Sequence, residues 1–267
     1  RPLPLTQSAT ENTTLSQPVL EEIRSLLNAL RSSNSETAQK AAQHLHNLAK
    51  KQQNTEDIAL IQPLCEAMSD PNWQVRWAVA EALTWLRHPI AISYLVARLE
   101  EDSNTIVQTA IIRALAELQA TQHAPIIAQY LKHKNHMVSE AATEALGALR
   151  NPEVIPMLDQ MLDSDDSFLR LAAIQSIYQI ESDDTTDYLS KAIHDDDVHV
   201  RWFAMKHFAP LATSKDVRVV TRMLFDKGKP KWEQESISDY AIKALANIDT
   251  PKSRRVLDKW SILKKRM

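Results

Sequence analysis

Val75-Arg76-Trp77-Ala78-Val79-Ala80-Glu81-Ala82-Leu83-Thr84-Trp85-Leu86 places apolar residues 0, 3, 4, 7, 8 and 11 positions from Val75. Those offsets mark one face of an α-helix. The same arrangement returns at Val107, Val138, Leu169 and Val200, at intervals of 32, 31, 31 and 31 residues. Offset eight holds Leu83, Leu115, Leu146, Ile177 and Phe208, and offset eleven holds Leu86, Leu118, Leu149, Ile180 and Leu211. Small residues recur between them, as at Ala82, Ala114, Ala145 and Ser176, so neighbouring helices can approach closely. A fixed period of this size is the signature of stacked structural repeats.

Ahead of each such helix, here called helix B, lies a shorter apolar pattern, helix A. It is carried by Leu64 and Met68, Leu95 and Leu99, Ile127 and Leu131, Leu158 and Met161, and Leu189 and Ile193. Polar turns such as Ser69-Asp70-Pro71-Asn72 and Asp195-Asp196-Asp197 join A to B, and Pro89, Pro125 and Pro152 suit the first turn of a following helix A. Two further repeats fit if insertions are allowed, anchored at Thr37 and Ile237, and a last helix near Ser253–Leu263 would cap the stack. The expected architecture is all-α, an α-solenoid of about seven helical hairpins over residues 18–267, behind a disordered or extended tail at residues 1–17.

Composition agrees. The chain of 267 residues has two glycines, Gly147 and Gly228, too few for a fold rich in tight hairpins. Its 44% hydrophobic and 24% charged residues, with a net charge of −3, suit a soluble chain, and no apolar run approaches a membrane span. The single cysteine, Cys65, has no internal partner for a disulfide and falls on the inner face of a helix A, a poor place for a nucleophile. A cytoplasmic setting is expected, although a start at Arg1 rather than methionine points to a processed or truncated terminus and leaves an exported or tethered form open.

Ile155-Pro156-Met157-Leu158, a turn containing Asp163, then Leu169-Arg170-Leu171-Ala172 resembles a HEAT repeat, as does Asp70-Pro71-Asn72-Trp73-Gln74-Val75-Arg76. The 31-residue spacing is shorter than the usual HEAT length of roughly 40. It looks more like the compact bacterial, phycobilin-lyase-type HEAT repeat. The resemblance implies that the B helices line the concave side, and it leaves function open, because the fold serves many unrelated scaffolds.

Offsets two, six and nine on helix B point away from the core face and should form rows along a groove. The offset-two row runs Trp77, Thr109, Glu140, Leu171, Trp202, Asp239; offset six runs Glu81, Arg113, Glu144, Gln175, Lys206, Lys243; offset nine runs Thr84, Ala116, Gly147, Tyr178, Ala209, Ala246. Tryptophan and arginine are common energetic anchors of protein interfaces. The expected function is therefore a non-catalytic scaffold or adaptor that binds another protein through Trp77, Glu81, Arg113, Glu144, Tyr178, Trp202 and Lys206. The alternative for each tryptophan is ordinary packing against a neighbouring helix. An insertion, Asp226-Lys227-Gly228-Lys229-Pro230-Lys231-Trp232, exceeds the period and adds Lys229 and Trp232 as contact candidates. Asp163, Asp165 and Asp166 with Asp195, Asp196 and Asp197 should make an acidic strip along one edge, serving mainly as helix-start signals.

Other functional classes fare worse. Two separated glycines cannot build a phosphate loop. His133-x-x-His136 has no third ligand nearby, and the His-Glu pairs of a helical-repeat metal hydroxylase are missing, so no metal or cofactor is expected. Groove rows of mixed sign and a sequence pI near 6.3 argue against nucleic acid and against a HEAT-like DNA glycosylase. The phycobilin-lyase resemblance implies one alternative. Under it the chain would bind a tetrapyrrole and its acceptor protein, with Trp77, Trp202 and Tyr178 stacking on the pigment and Arg113 or Lys206 meeting its propionates.

Overall fold

The computed structural model describes the backbone of residues 8–265 and the side chains of residues 17–265. Among them every regular element is helical. The chain divides into two compact units, Arg1–Leu149 and Arg150–Met267. The repeat pattern predicts a single domain over 18–267; the division falls between two repeats, after the offset-eleven residue Leu149.

The first unit contains α1 (Ser8–Leu30), α2 (Ser35–Lys51), α3 (Ile58–Ala67), α4 (Trp73–Leu86), α5 (Ala91–Glu101), α6 (Thr105–Glu117), α7 (Ala124–Ala128) and α8 (His136–Leu149). A 3-10 turn, Thr121–His123, leads into α7. Successive helices pair as A–B hairpins. The B helices pack in order, α2 on α4, α4 on α6 and α6 on α8, and the A helices α1, α3 and α5 form the second layer. The second unit contains α9 (Ile155–Leu162), α10 (Ser167–Ile180), α11 (Thr185–Ala192), α12 (Val198–Phe208), α13 (Val217–Met223), α14 (Ile237–Ile248) and α15 (Pro251–Lys264). There α10 packs on α12 and α12 on α14, while α15 closes against α13 and α14. This is the α-solenoid arrangement that the period predicts, with seven hairpins and a final helix among the described residues.

The register is the reason. Val75, Val107, Val138 and Val200 are buried at offset zero, Leu83, Leu115, Leu146, Ile177 and Phe208 at offset eight, and the quoted helix-A pairs are buried opposite them. Burying one Leu or Val side chain stabilises by about 1.5–3 kcal/mol, so each hairpin is held by its own register. Cys65 is fully buried, and burial, with Glu66 beside it, pushes its thiol up to about 11.

Two expectations need correction. Leu211 is 43% exposed, because α12 ends at Phe208. Pro210 lacks the backbone N–H that would continue the i→i−4 ladder beyond Ala209, so offset eleven falls outside that helix. Helix α1 begins at Ser8, so part of the expected tail is helical, and residues 1–7 lie outside the described residues. The acidic turns act as the helix-start signals expected of them, while Asp163, Asp165 and Asp196 stay exposed. Asp166 and Asp197 accept from the first N–H groups of α10 and α12 as N-caps, and Asp195 is paired with Arg170.

Those turns follow one rule. The residue three before the anchor is the N-cap, seen at Asn34, Asn72, Asn104, Asp166 and Asp197. The residue five before the anchor accepts from that cap's own N–H: Ser32, Asp70, Asp102, His133, Ser164 and Asp195 all do so. His133 therefore serves a turn. Where this residue is Asp, an arginine from the preceding repeat usually reaches it. Arg76 grips Asp102 with Nε at 2.6 Å and Nη2 at 3.0 Å, and Arg170 grips Asp195 at 2.8 Å through both nitrogens; in the repeat lengthened by the insertion, Arg201 likewise reaches Asp226, eleven before its anchor, at 2.8 Å. The same arginines donate Nη1 to carbonyls of their own turn, as Arg76 does to Asp70 and Pro71. One side chain at offset one thus ties its own turn to the next.

Candidate functional site

In the first unit, offset six delivers what the register predicts. Glu81 on α4, Arg113 on α6 and Glu144 on α8 line one cavity of about 560 Å³. Its lining also includes Ala116, Ala141, Ala145 and Ala148, side chains that end at Cβ, and Thr84. Trp77 and Glu81 line a second cavity of about 360 Å³ with Gln39, Gln43 and His46 of α2. Glu81 and His46 belong to both, so the two form one groove along the B helices of this unit.

Its electrostatics are uneven. Arg87 and Glu117 pair across the groove wall at 3.0 Å. Among the described residues, Glu81, Arg113 and Glu144 have no hydrogen-bond or ion-pair partner. Trp85 presents its ring to the edge of His46, with centroids 5.3 Å apart, and Lys50 sits 5.1 Å over the same ring.

The second unit treats the same offsets differently. Trp202 is 7% exposed, its Nε1–H donates to the Glu235 carbonyl at 2.8 Å, and its ring meets Tyr240 edge-on. It is a core residue, and its assignment to an open groove is corrected. Thr109, at the same offset in the first unit, is buried too, whereas Glu140 is exposed, so cover at offset two varies from repeat to repeat. Lys206 lies 4.5 Å over the Trp202 ring. Tyr178 packs against Phe203 and His207, and burial with Lys206 nearby holds the His207 imidazole below its ordinary pKa.

The insertion is a built loop. Asp226 Oδ1 accepts from the Gly228 N–H, the Ile237 N–H donates to the Gly228 carbonyl, and Ser238 N–H donates to that of Asp226. A Cβ at Gly228 would come within 2.7 Å of Val198 Cγ2, which explains the glycine. Lys229 spends its ammonium on the Glu233 and Gln234 carbonyls, whereas Trp232 is 75% exposed and stacks on His199.

The sequence matches the family of HEAT repeats over residues 23–116 and 95–178, together more than half of the chain. The chain is a HEAT-repeat protein. No curated protein matches it in sequence. Among solved structures, this HEAT-repeat protein is similar to YIBA_ECOLI, at 17% identity and a TM-score of 0.59, covering 97% of this chain and 92% of that one. It is also similar to an engineered protein at 19% identity and a TM-score of 0.52, covering 90% and 72%. The complex of CpcE and CpcF of phycocyanin lyase from Nostoc sp. PCC7120 aligns at 19% identity over 90% and 94%, with a TM-score of 0.49. At these identities the first two likenesses bear on the fold alone. Among the described residues no helix is long and apolar enough to cross a membrane.

Reading offsets two, six and nine alone missed part of the HEAT-repeat groove. His46, Trp85, Arg87 and Glu117 line it as well. Trp85 and Glu117 stand at offset ten, one helical turn beyond offset six, and i,i+4 neighbours share a face. That spacing was the available signal. A row of exposed apolar residues one position before the anchor also went unread: Ile106 and Met137 in the first unit, Phe168 in the second.

Proposed function

We propose that this HEAT-repeat protein is a non-catalytic scaffold that binds another protein along the B helices of its first unit. The observation that carries the reading is the row Glu81, Arg113 and Glu144, three charges lining one cavity with no partner of their own. Ionised side chains left without protein partners beside an alanine-lined floor keep their full capacity for charge-assisted hydrogen bonds to a ligand. Half-buried Trp77 and Trp85 add aromatic surface at the same place, and rigid aromatic rings contribute strongly when a partner covers them. Charge and stacking groups of this kind suit recognition of a peptide chain.

The test is residue-resolved photocrosslinking in extract of the host cell. A benzophenone side chain at Thr84, on the groove, should yield a discrete protein adduct that Glu81→Lys reduces. The same group at Ala97, an exposed position on α5 in the other layer, should yield none. Adducts at Ala97 with none at Thr84 would move the binding face to the A helices.

A further inference from the structure

The groove's charges have an order. Glu81, Arg113 and Glu144 come from α4, α6 and α8, which pack in that sequence, and all three occupy offset six. Their signs alternate: anion, cation, anion. In the same groove Arg87 and Glu117 neutralise each other at 3.0 Å, so pairing within this surface is geometrically available, and the offset-six residues do not use it. A partner that satisfies all three must present cation, anion, cation, spaced as the helices are.

Spacing selects the partner's conformation. Packed helices lie about 8–10 Å apart axis to axis. A polyproline II segment has three residues per turn and a rise of about 3.1 Å, so every third side chain returns to one face after roughly 9.3 Å. A β-strand alternates faces at each residue, and its third residue points away. An α-helix needs about seven residues for a similar step of roughly 10.5 Å, and at a diameter of about 10 Å it is thick. The two cavities are about 560 and 360 Å³. A single extended chain is thinner than a helix and approaches the floor of Ala116, Ala141, Ala145 and Ala148 more closely.

We propose that the groove of the first unit takes an extended, polyproline-like segment of a partner protein bearing basic, acidic and basic side chains at every third residue. The cations meet Glu81 and Glu144, and the carboxylate meets the Arg113 guanidinium. Arginine offers a planar fork that matches a carboxylate bidentately, which makes the central contact the most selective of the three. Aromatic-lined grooves favour pre-extended, proline-rich chains because little conformational freedom is lost on docking; Trp77 and Trp85 supply such rings here. This inference rests on the scaffold reading above and narrows it to one ligand chemistry.

The experiment uses the full chain and three labelled synthetic peptides, read by fluorescence anisotropy at low salt. The first carries Lys-Pro-Pro-Glu-Pro-Pro-Lys, the second reverses every charge, and the third places the first one's charges seven residues apart in a helix-forming sequence. The first should bind at least tenfold more tightly than either other. Arg113 is exposed, so Arg113→Glu should keep the helical circular-dichroism signal. That variant should prefer Lys-Pro-Pro-Lys-Pro-Pro-Lys over the first peptide by about fivefold or more, in keeping with one exchanged ion pair. Equal binding of the first two peptides, no binding at millimolar concentration, or a preference unaltered in Arg113→Glu overturns the charge pattern. Tighter binding of the helical peptide overturns the extended form. Any of these results together with a surviving Thr84 adduct defeats only this inference, whereas loss of the adduct defeats the scaffold reading beneath it.

Discussion

At offset two the first unit has Trp77, half-buried beside an open cavity, and the second has Trp202, sunk to 7% exposure with its indole N–H bonded to Glu235. At offset six the first unit leaves Glu81, Arg113 and Glu144 unpaired. The second lays Lys206 over the Trp202 ring and pairs Lys243 with Glu235 at 2.5 Å. Offset nine is Thr84 and Ala116 in the first and Tyr178, packed on Phe203 and His207, in the second. One register therefore yields charges left without partners in one unit and side chains engaged with their neighbours in the other. The repeat fixes where a side chain starts; the bulk around it decides whether it remains available.

The largest expected effect separates the two tryptophans. Trp202→Ala removes a buried ring and leaves the Glu235 carbonyl without its donor, so the second unit should lose about 4 kcal/mol. Trp77→Ala should cost about 1 kcal/mol or less, since part of its ring already faces water. Urea unfolding followed by circular dichroism, with amide exchange in α12 and α14 to locate the loss, measures both. Equal losses would mean that the two faces are not differently packed, and the comparison would fail.

Next comes the ladder of arginine–aspartate pairs, which is also buried to different depths. Arg76 and Asp102 in the first unit have side chains 8% and 1% exposed, while Arg201 and Asp226 in the second are each 22% exposed. Asp102 also accepts from Arg98 and from the Asn104 N–H. Asp102→Ala strands four N–H donors on three residues and should cost about 3 kcal/mol, against about 1–2 kcal/mol for Asp226→Ala. Acid should act in the same direction. Burial alone would push the Asp102 carboxyl up, but the hydrogen bonds from Arg76 and Arg98 outweigh it and hold the group below the usual carboxylate range; Arg170 does the same to Asp195. A depressed native pKa gives stability that is complete above the unfolded value of about 4 and disappears as pH falls through the native one. Thermal unfolding should therefore be nearly constant from neutral pH to about 5 and fall steeply below about 4. In Asp102→Ala that acid-dependent fall should be shallower.

What the sequence made legible divides along the same physical line. Core positions were readable because they are apolar or small in most repeats, and the helix-A pairs and the offset-eight residues are buried as the period implies. Glu81, Arg113 and Glu144 were readable as a row because offset six lies opposite that core. The fate of Trp202 was not, since it depends on the Glu235 carbonyl, in the short link between the insertion and α14 that carries no register. Leu211 misled because the offset was extended past Pro210. The ladder could have been seen. Arg76, Arg170 and Arg201 stand at offset one, and an aspartate follows each after 26, 25 and 25 residues. In the repeats where offset one is Gln108 or Ser139, the residue five before the next anchor is His133 or Ser164 instead of Asp.

The smallest effect tests how the B helices end. Offset twelve takes a left-handed conformation in five repeats without a single glycine: Arg87, Gln119, Arg150, Glu181 and Asp249 have φ between 46° and 56°. Glycine is the usual residue there because it has no Cβ to crowd the preceding turn, and a residue with a Cβ loses about 1 kcal/mol in that conformation. The charged choices recover part of it differently in the two units. Arg87 holds Glu117 at 3.0 Å, while Arg150 and Glu181 stand 3.7 Å apart with both side chains well exposed. Glu181→Gly gives up almost nothing in ion pairing. After the greater freedom of glycine in the unfolded chain is subtracted, it should stabilise by about 0.5 kcal/mol. Arg87→Gly loses a closer pair on the groove wall, so its net effect should be near zero, and it also frees Glu117 to compete for the cationic ends of a bound segment. A rise in unfolding midpoint for Glu181→Gly with none for Arg87→Gly would show that the first unit keeps its charges at a cost in backbone strain. Equal rises would mean that the 3.0 Å pair contributes nothing and that only the second unit's crowding distinguishes the two faces.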